Sequence, residues 1–296
     1  MEKPRLGRVG YINCLPVFYA LEKGFVRIPA RIVADHPSRL NDRLAAGELE
    51  VTAVSSIAYA HQRHTCVVLP GLSIASDGAV WSVALLSRVP VTKLDGRRVS
   101  LTPYSATSIV LLQILLNLFY GVRAELFTRP PGVSPWWGDP EAALAIGDEA
   151  LRSSGEGCYV YDLGAEWKRF TGKCMVYALW VARREFAVES PALLQEICRG
   201  LQAAKHWGYE HRRVIAEAAT HLVGLPASRL MAYFQHLKYE LNELYLDGLH
   251  YFYECAWRCG VLDQPVQAEI WREAGADRAR SGSNYSENPA GRAVKP

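Results

Sequence analysis

The sequence predicts an α/β protein of two lobes, and three observations predict it. Strand and helix patterns alternate near the start of the chain and again in a middle block. Two long apolar runs, "GAVWSVALLSRVPV" (78–91) and "CMVYALWVARREF" (174–186), bracket that block. After residue 190 the alternation gives way to consecutive amphipathic helices. Strand–helix alternation implies a parallel sheet covered by helices. A chain that builds one such unit, crosses out, builds another and crosses back leaves a cleft between them. The crossings are expected near 86–92 and 178–184. Residues 1–88 with 182–275 then form the first lobe, a C-terminal helical extension packed on it, and 89–181 form the second.

Each element has its own signal. Residues 5–12 are apolar enough for a first strand, which ends in Tyr11-Ile12-Asn13; Pro16 suits the first turn of the helix after it. "RIPARIVAD" is a second strand, and "HPSRLNDRLAAGE" a helix with Ser38 near its start and Gly47 as its stop. "LEVTAVSS" reads as a buried strand and "SSIAYAHQRH" as the next helix. In the middle block "RRVSLTP" is a strand, "YSATSIVLLQILLNLFYG" a helix, "RAELFTR" a strand and "GDPEAALA" a helix. "AALAIGDEAL" is a strand running into a helix start. Apolar spacing of three and four residues marks helices at about 191–206, 209–222, 226–237 and 241–259. That run is long enough to supply a homodimer face, although apolar stripes also serve as core. The stretch 276–296, rich in Gly, Ser, Asn and Pro, is expected to be a disordered tail.

Composition removes several functions. A net charge of +3 over 296 residues, without a Lys/Arg run before the tail, argues against a nucleic-acid partner. The apolar stretch after the charged start is broken by Arg8, Asn13 and Pro16, unlike a secretory signal. The most apolar window, 108–121, is too short to span a bilayer and carries Gln113 and Asn117. The chain therefore reads as cytoplasmic, with no membrane partner. Seven scattered cysteines fit reduced thiols, and Cys255 and Cys259 lack a Cys or His partner at metal-ligand spacing. No P-loop, dinucleotide fingerprint, HExxH or G-x-S-x-G is present, and no metal or other cofactor is expected.

The residues that suggest chemistry sit where strands end and helices begin, the positions that face the crevice of an open α/β sheet. Ser105, Thr107 and Ser108 precede the most apolar helix, whose exposed N–H groups form an anion site. Ser55 and Ser56 offer the same arrangement in the first lobe. Hydroxyl-dressed helix starts on both walls suit a small dicarboxylate without an Arg clamp. Asp148, after Ile146-Gly147, is either an N-cap, a hydrogen-bond acceptor or a general base. Asn13 is either a turn residue or a neutral donor and acceptor for substrate, and Ser82 breaks an otherwise Val/Leu/Ala run.

Together "GRVGYINCLPVFYAL", "GELEVTAVSSIAYA", "LTPYSATSIVLLQILL", "ALAIGDEAL" and "YDLGAEWKRFTGKCMVYALWVARRE" resemble the chorismate dehydratases of the futalosine route to menaquinone, over about residues 5–260. The resemblance implies a type II periplasmic-binding-protein-like fold without a secretion signal. It also implies a lyase that removes water from chorismate to give 3-[(1-carboxyvinyl)oxy]benzoate, with neither metal nor nucleotide. It assigns catalytic roles to Asn13 and Ser82 and substrate binding to Ser105, Thr107 and Ser108. The proton acceptor stays open between the substrate's own enolpyruvyl carboxylate and Asp148. Local departures are Cys14, Ala145 before Ile-Gly-Asp, and Cys158-Tyr159-Val160-Tyr161 before Asp162-Leu163-Gly164. The alternatives are a 1,4-dihydroxy-6-naphthoate synthase on a similar scaffold and a non-catalytic small-anion binding protein.

Overall fold

A computed structural model of the chain describes residues 3–153 and 155–272. The expected tail at 276–296 lies outside the described residues. In chain order the elements begin with β1 (Arg5–Val9), α1 (Leu15–Glu22), β2 (Arg31–Asp35), α2 (Pro37–Ala45), β3 (Val51–Ser55), α3 (Ser56–Gln62) and β4 (Cys66–Ser76). Next come β5 (Val83–Ser87), β6 (Arg98–Leu101), α4 (Ala106–Ile114), β7 (Glu125–Thr128), β8 (Ala142–Ile146), α5 (Asp148–Arg152), β9 (Tyr159–Asp162) and α6 (Leu163–Thr171). The chain continues with β10 (Met175–Arg183), α7 (Arg184–Glu189), α8 (Pro191–Glu210), α9 (Arg212–Val223), α10 (Ala227–His236), β11 (Leu237–Lys238) and α11 (Glu243–Arg258).

These strands form two sheets. The first runs β11-β4-β10-β3-β1-β2 and the second β7-β6-β8-β5-β9. Strands β1, β2 and β3 are parallel, as are β6, β7 and β8, while β10 and β5 run against their neighbours. Each sheet is therefore mixed. The parallel parts come from the strand–helix alternation, the antiparallel parts from the chain's passage between sheets.

Three expectations need correction. The strand β4 has no counterpart in the sequence reading, because Pro70 and Gly71 break its apolar run; register shifts in its pairing with β10 absorb that break. "GDPEAALA" is not a helix: Ala142–Ile146 is the buried central strand β8, and burial between β6 and β5 overrides the helix preference of alanine. Both changes of sheet also come earlier than 86–92 and 178–184. Strand β5 pairs with β8 and β9, and β10 pairs with β3 and β4, so the chain changes sheet between Ser76 and Val83 and again between Asp162 and Met175.

The passages are held together by one segment. Asp162 accepts hydrogen bonds from the N–H groups of Val80 (3.1 Å), Trp81 (2.6 Å) and Ala165 (2.9 Å), so it caps α6 and grips the outgoing passage at once. A Cβ on Gly164 would lie 2.5 Å from the Gly78 carbonyl, an approach only glycine permits. Trp167 is fully buried and donates from Nε1 to the Cys174 carbonyl (3.1 Å) on the returning passage.

The C-terminal helices cover the first sheet. α8 packs on α1 and β4, α9 on α1 and α10, and α11 on β10, α3 and also α4 behind the second sheet. One large apolar core, including Phe18, Tyr59, Trp180 and Phe252, links these layers. No described helix is long and apolar enough to cross a membrane.

Candidate active site

A cavity of about 380 Å³ opens where the carboxyl ends of β1, β6, β7 and β8 face one another, the crevice that this class of sheet provides. One wall carries Tyr11, Asn13, Ile74 and Tyr177 from the first sheet and its turns. The other carries Ser82, Thr102, Tyr104, Ser105, Ser108, Arg129, Gly147, Asp148 and Glu149. Tyr233 and Leu237 of the C-terminal segment close a third side.

Asn13 owes its place to the way β1 ends. Residues Ile12–Cys14 form a single 3₁₀ turn, closed by the Cys14 N–H on the Tyr11 carbonyl (3.1 Å). Ile12 and Cys14 are buried in the core, which leaves Asn13 between them on the cavity wall. Pro16 lies in the first turn of α1, where a missing N–H costs nothing. The Asn13 carbonyl accepts from the Tyr239 hydroxyl (2.7 Å), yet its side-chain Oδ1 is buried without a hydrogen-bond partner. An unpaired buried acceptor costs about 1–3 kcal/mol.

Opposite it, Trp81 takes φ of +65° and turns the chain so that Ser82 enters the cavity. The Ser82 carbonyl accepts from the Gly147 N–H (2.7 Å). Its side chain interacts with the Tyr233 hydroxyl and lies only loosely, at 3.5 Å, from the Val80 carbonyl. Gly147 itself has φ 56° and ψ −130°, a conformation that requires glycine, and this bend presents Asp148 and Glu149 to the cavity. Burial pushes the Asp148 carboxyl above its ordinary range, with Arg152 (4.0 Å) opposing the shift. Burial likewise raises Glu149, opposed by Arg129 at 2.5 Å.

The start of α4 supplies part of the expected hydroxyl cluster. Ser105 is its N-cap, accepting from the Ser108 N–H (3.4 Å) and donating to Ser108 Oγ (2.7 Å), and both residues line the cavity. Thr107 does not. It is buried against α3 and accepts from the Ile57 N–H (3.1 Å), tying the two helices together. Ser55 caps α3 through the Ala58 N–H (3.3 Å), and Ser56, fully buried, donates to the Val176 carbonyl (2.7 Å). Neither reaches the cavity, so the expected hydroxyl wall on the first-sheet side is absent; their hydroxyls satisfy local backbone instead.

The expectation that no Arg is needed also fails to describe the site. Arg129 is only 4% exposed, lines the cavity, and donates to the Leu144 carbonyl (3.0 Å) and to Glu149. Its signal was present in "RAELFTR": it directly follows the end of β7, the same strand-end criterion that selected Ser55. Tyr233 had no such signal, since only folding brings α10 to the crevice.

The family model for menaquinone biosynthesis matches residues 4–258. The chain belongs to the menaquinone biosynthesis family. A chorismate dehydratase of Thermus thermophilus is 31% identical over 269 residues, covering 84% of this chain and 93% of the relative. A 1,4-dihydroxy-6-naphthoate synthase of the same organism is 30% identical over 202 residues, covering 67% and 73%. Among solved structures, protein AF1704 of Archaeoglobus fulgidus superposes with a TM-score of 0.73 at 22% identity, covering 87% of this chain and 98% of that one. The periplasmic aliphatic sulphonate-binding protein SsuA of Escherichia coli gives 0.66 at 15%, covering 99% and 98%. This member of the menaquinone family thus has the periplasmic-binding-protein-like fold, with the cavity between its two sheets.

Proposed function

We propose that the protein is a chorismate dehydratase, a hydro-lyase giving 3-[(1-carboxyvinyl)oxy]benzoate. The observation that carries this is the unpaired Asn13 Oδ1 in a cavity that also holds a buried arginine. With its carboxylates ionised, chorismate has one hydroxyl donor, at C4, to meet that acceptor. The Asn13 Nδ2 amide donates to the enolpyruvyl carboxylate on the adjacent carbon. One side chain then grips both substituents that take part in the elimination.

Arg129 and the start of α4 (Ser105 and Ser108) bind the ring carboxylate, with charge-assisted and helix-end hydrogen bonds. The C3 proton passes to a carboxylate, the C–H pair becomes the new ring π bond, and the C4–O pair leaves with oxygen. Ser82 donates to that oxygen, and the abstracted proton completes water. The substrate's own enolpyruvyl carboxylate is the acceptor in the preferred scheme. Holding it against C3 contributes up to about 7–11 kcal/mol of barrier reduction when the geometry is ideal. Asp148 is the competing base, since its raised pKa brings it nearer neutrality.

The broader coverage of the dehydratase relative favours this reading over a naphthoate synthase. The test is to mix purified protein with chorismate, without added metal or cofactor, and follow absorbance and mass. Loss of one water with an aromatic enol ether as product supports the proposal. Binding without change supports a small-anion binding protein, and neither binding nor change directs the test to the cyclic futalosine substrate.

A further inference from the structure

The side chain of Asn13 has no protein partner at Oδ1, so its placement depends on its backbone. That backbone is the 3₁₀ turn Ile12–Cys14, and its carbonyl at Asn13 is held by the Tyr239 hydroxyl at 2.7 Å. Tyr239 is in turn fixed on every side. Its N–H donates to the Tyr209 hydroxyl (2.9 Å) and to Glu240 Oε2 (3.1 Å), and its carbonyl accepts from the Ser73 N–H (3.1 Å). Its ring meets that of Tyr209 edge-on at 5.8 Å. Directly before it, β11 pairs with the end of β4, Leu237 against Ser76 and Lys238 against Ala75. Only 1% of Tyr239 is exposed, so water does not compete for the bond.

We propose that Tyr239 is the positioning residue for Asn13: the C-terminal segment reaches across 226 positions of sequence to set the turn that aims the Asn13 amide into the cavity. The inference rests on the dehydratase reading for Asn13's role, and the geometry alone carries the link between the two residues. Tyr239 touches no reacting atom and acts through Asn13. A shift of the amide by about 1 Å at this point costs on the order of 10²-fold in rate while leaving the carboxylate anchors in place.

Tyr253→Phe is the matched control, because the Tyr253 hydroxyl is also buried and donates to a backbone carbonyl, Ser56 (2.8 Å), away from the cavity. With chorismate as substrate, Tyr239→Phe is expected to lower kcat about 10- to 100-fold with KM changed less than about threefold. Tyr253→Phe is expected to lose comparable thermal stability with kcat unchanged. The side-chain amide resonance of Asn13, identified by its loss in Asn13→Ala, is expected to shift or broaden in Tyr239→Phe and not in Tyr253→Phe. That resonance needs no turnover, so a wild-type protein inactive on chorismate sinks the dehydratase reading while the positioning claim is still decided. An unmoved Asn13 resonance overturns the proposal, as does a kcat retained within twofold or an equal kcat loss in both variants of an active enzyme.

Discussion

Replacing Arg129 by methionine separates two roles that its position combines. The side chain is 4% exposed and its partner Glu149 is 31% exposed, with 2.5 Å between them. Removing one member of a buried pair costs about 3–5 kcal/mol, because the other is left charged without a partner. Glu149 keeps some access to water, and the raised pKa that burial already gives it eases its protonation. The expected loss is therefore nearer about 2–3 kcal/mol, or roughly 3–5 °C in Tm for a protein of this size. The functional loss is independent of that. A charge-assisted hydrogen bond to the ring carboxylate contributes about 1.5–3 kcal/mol, equivalent to roughly 10- to 100-fold in KM. The double variant Arg129→Met with Glu149→Gln removes both charges, so it should recover most of the stability and none of the chorismate affinity. Thermal unfolding and steady-state kinetics on the three proteins decide it. If the double variant restores KM along with Tm, Arg129 serves only the fold and the carboxylate anchor lies elsewhere.

Asn13→Ala should lower kcat on chorismate by at least about 10³-fold while binding, measured by calorimetry, changes less than tenfold; normal turnover would remove Asn13 from the mechanism. Asp148→Asn should keep turnover, and its loss with chorismate still bound would make Asp148 the base. The same variant tests the raised pKa. The folded protein holds that proton more tightly than the unfolded chain, so stability from this group falls as pH rises from the unfolded to the folded value. Asp148→Asn should hence be more stable than wild type at pH 7 and level with it in acid, and the opposite order would contradict the burial argument. Burial pushes the Cys14 thiol up to about 12, so a thiol reagent at neutral pH should label the half-buried Cys158 and Cys259 well before Cys14 in mass spectra.

How much of this was legible depended on whether a signal was local. The turn "YINCLP" was readable because Asn and Pro each break a strand for a local reason, and Ser105 was readable as a cap before an apolar helix. The long C-terminal helices announced themselves by period. Ser55 and Ser56 carried the same local signal as Ser105 and yet bond to backbone, because the direction of a hydroxyl is decided by packing that no short window contains. β8 is legible as a strand in "AALAIGDEAL", while the helix expected over "GDPEAALA" overlaps it and does not form, since alanine-rich segments take their structure from burial more than from propensity. Tyr233 and Tyr239 were beyond reach, lying more than 150 positions from the residues they contact, Ser82 through its side chain and Asn13 through its carbonyl.

The motif Asp162-Leu163-Gly164-x-x-Trp167 shows why a family signature need not touch substrate. Asp162 takes three backbone N–H groups, two of them on the passage that leads straight into Ser82. Trp81 sits at φ +65°, a strained value for a bulky residue that persists only if the surroundings hold it, and the Asp162 carboxylate is what holds its N–H. Gly164 admits the Gly78 carbonyl, and Trp167 ties down Cys174 on the way back. The motif therefore sets both links between the sheets and, through Trp81, the angle at which Ser82 enters the cavity. Gly164→Ala should cost about 1–3 kcal/mol by overpacking against Gly78. If the links also set the cavity's geometry, the same variant should raise KM for chorismate; a stability loss with unchanged kinetics would confine the motif to the fold.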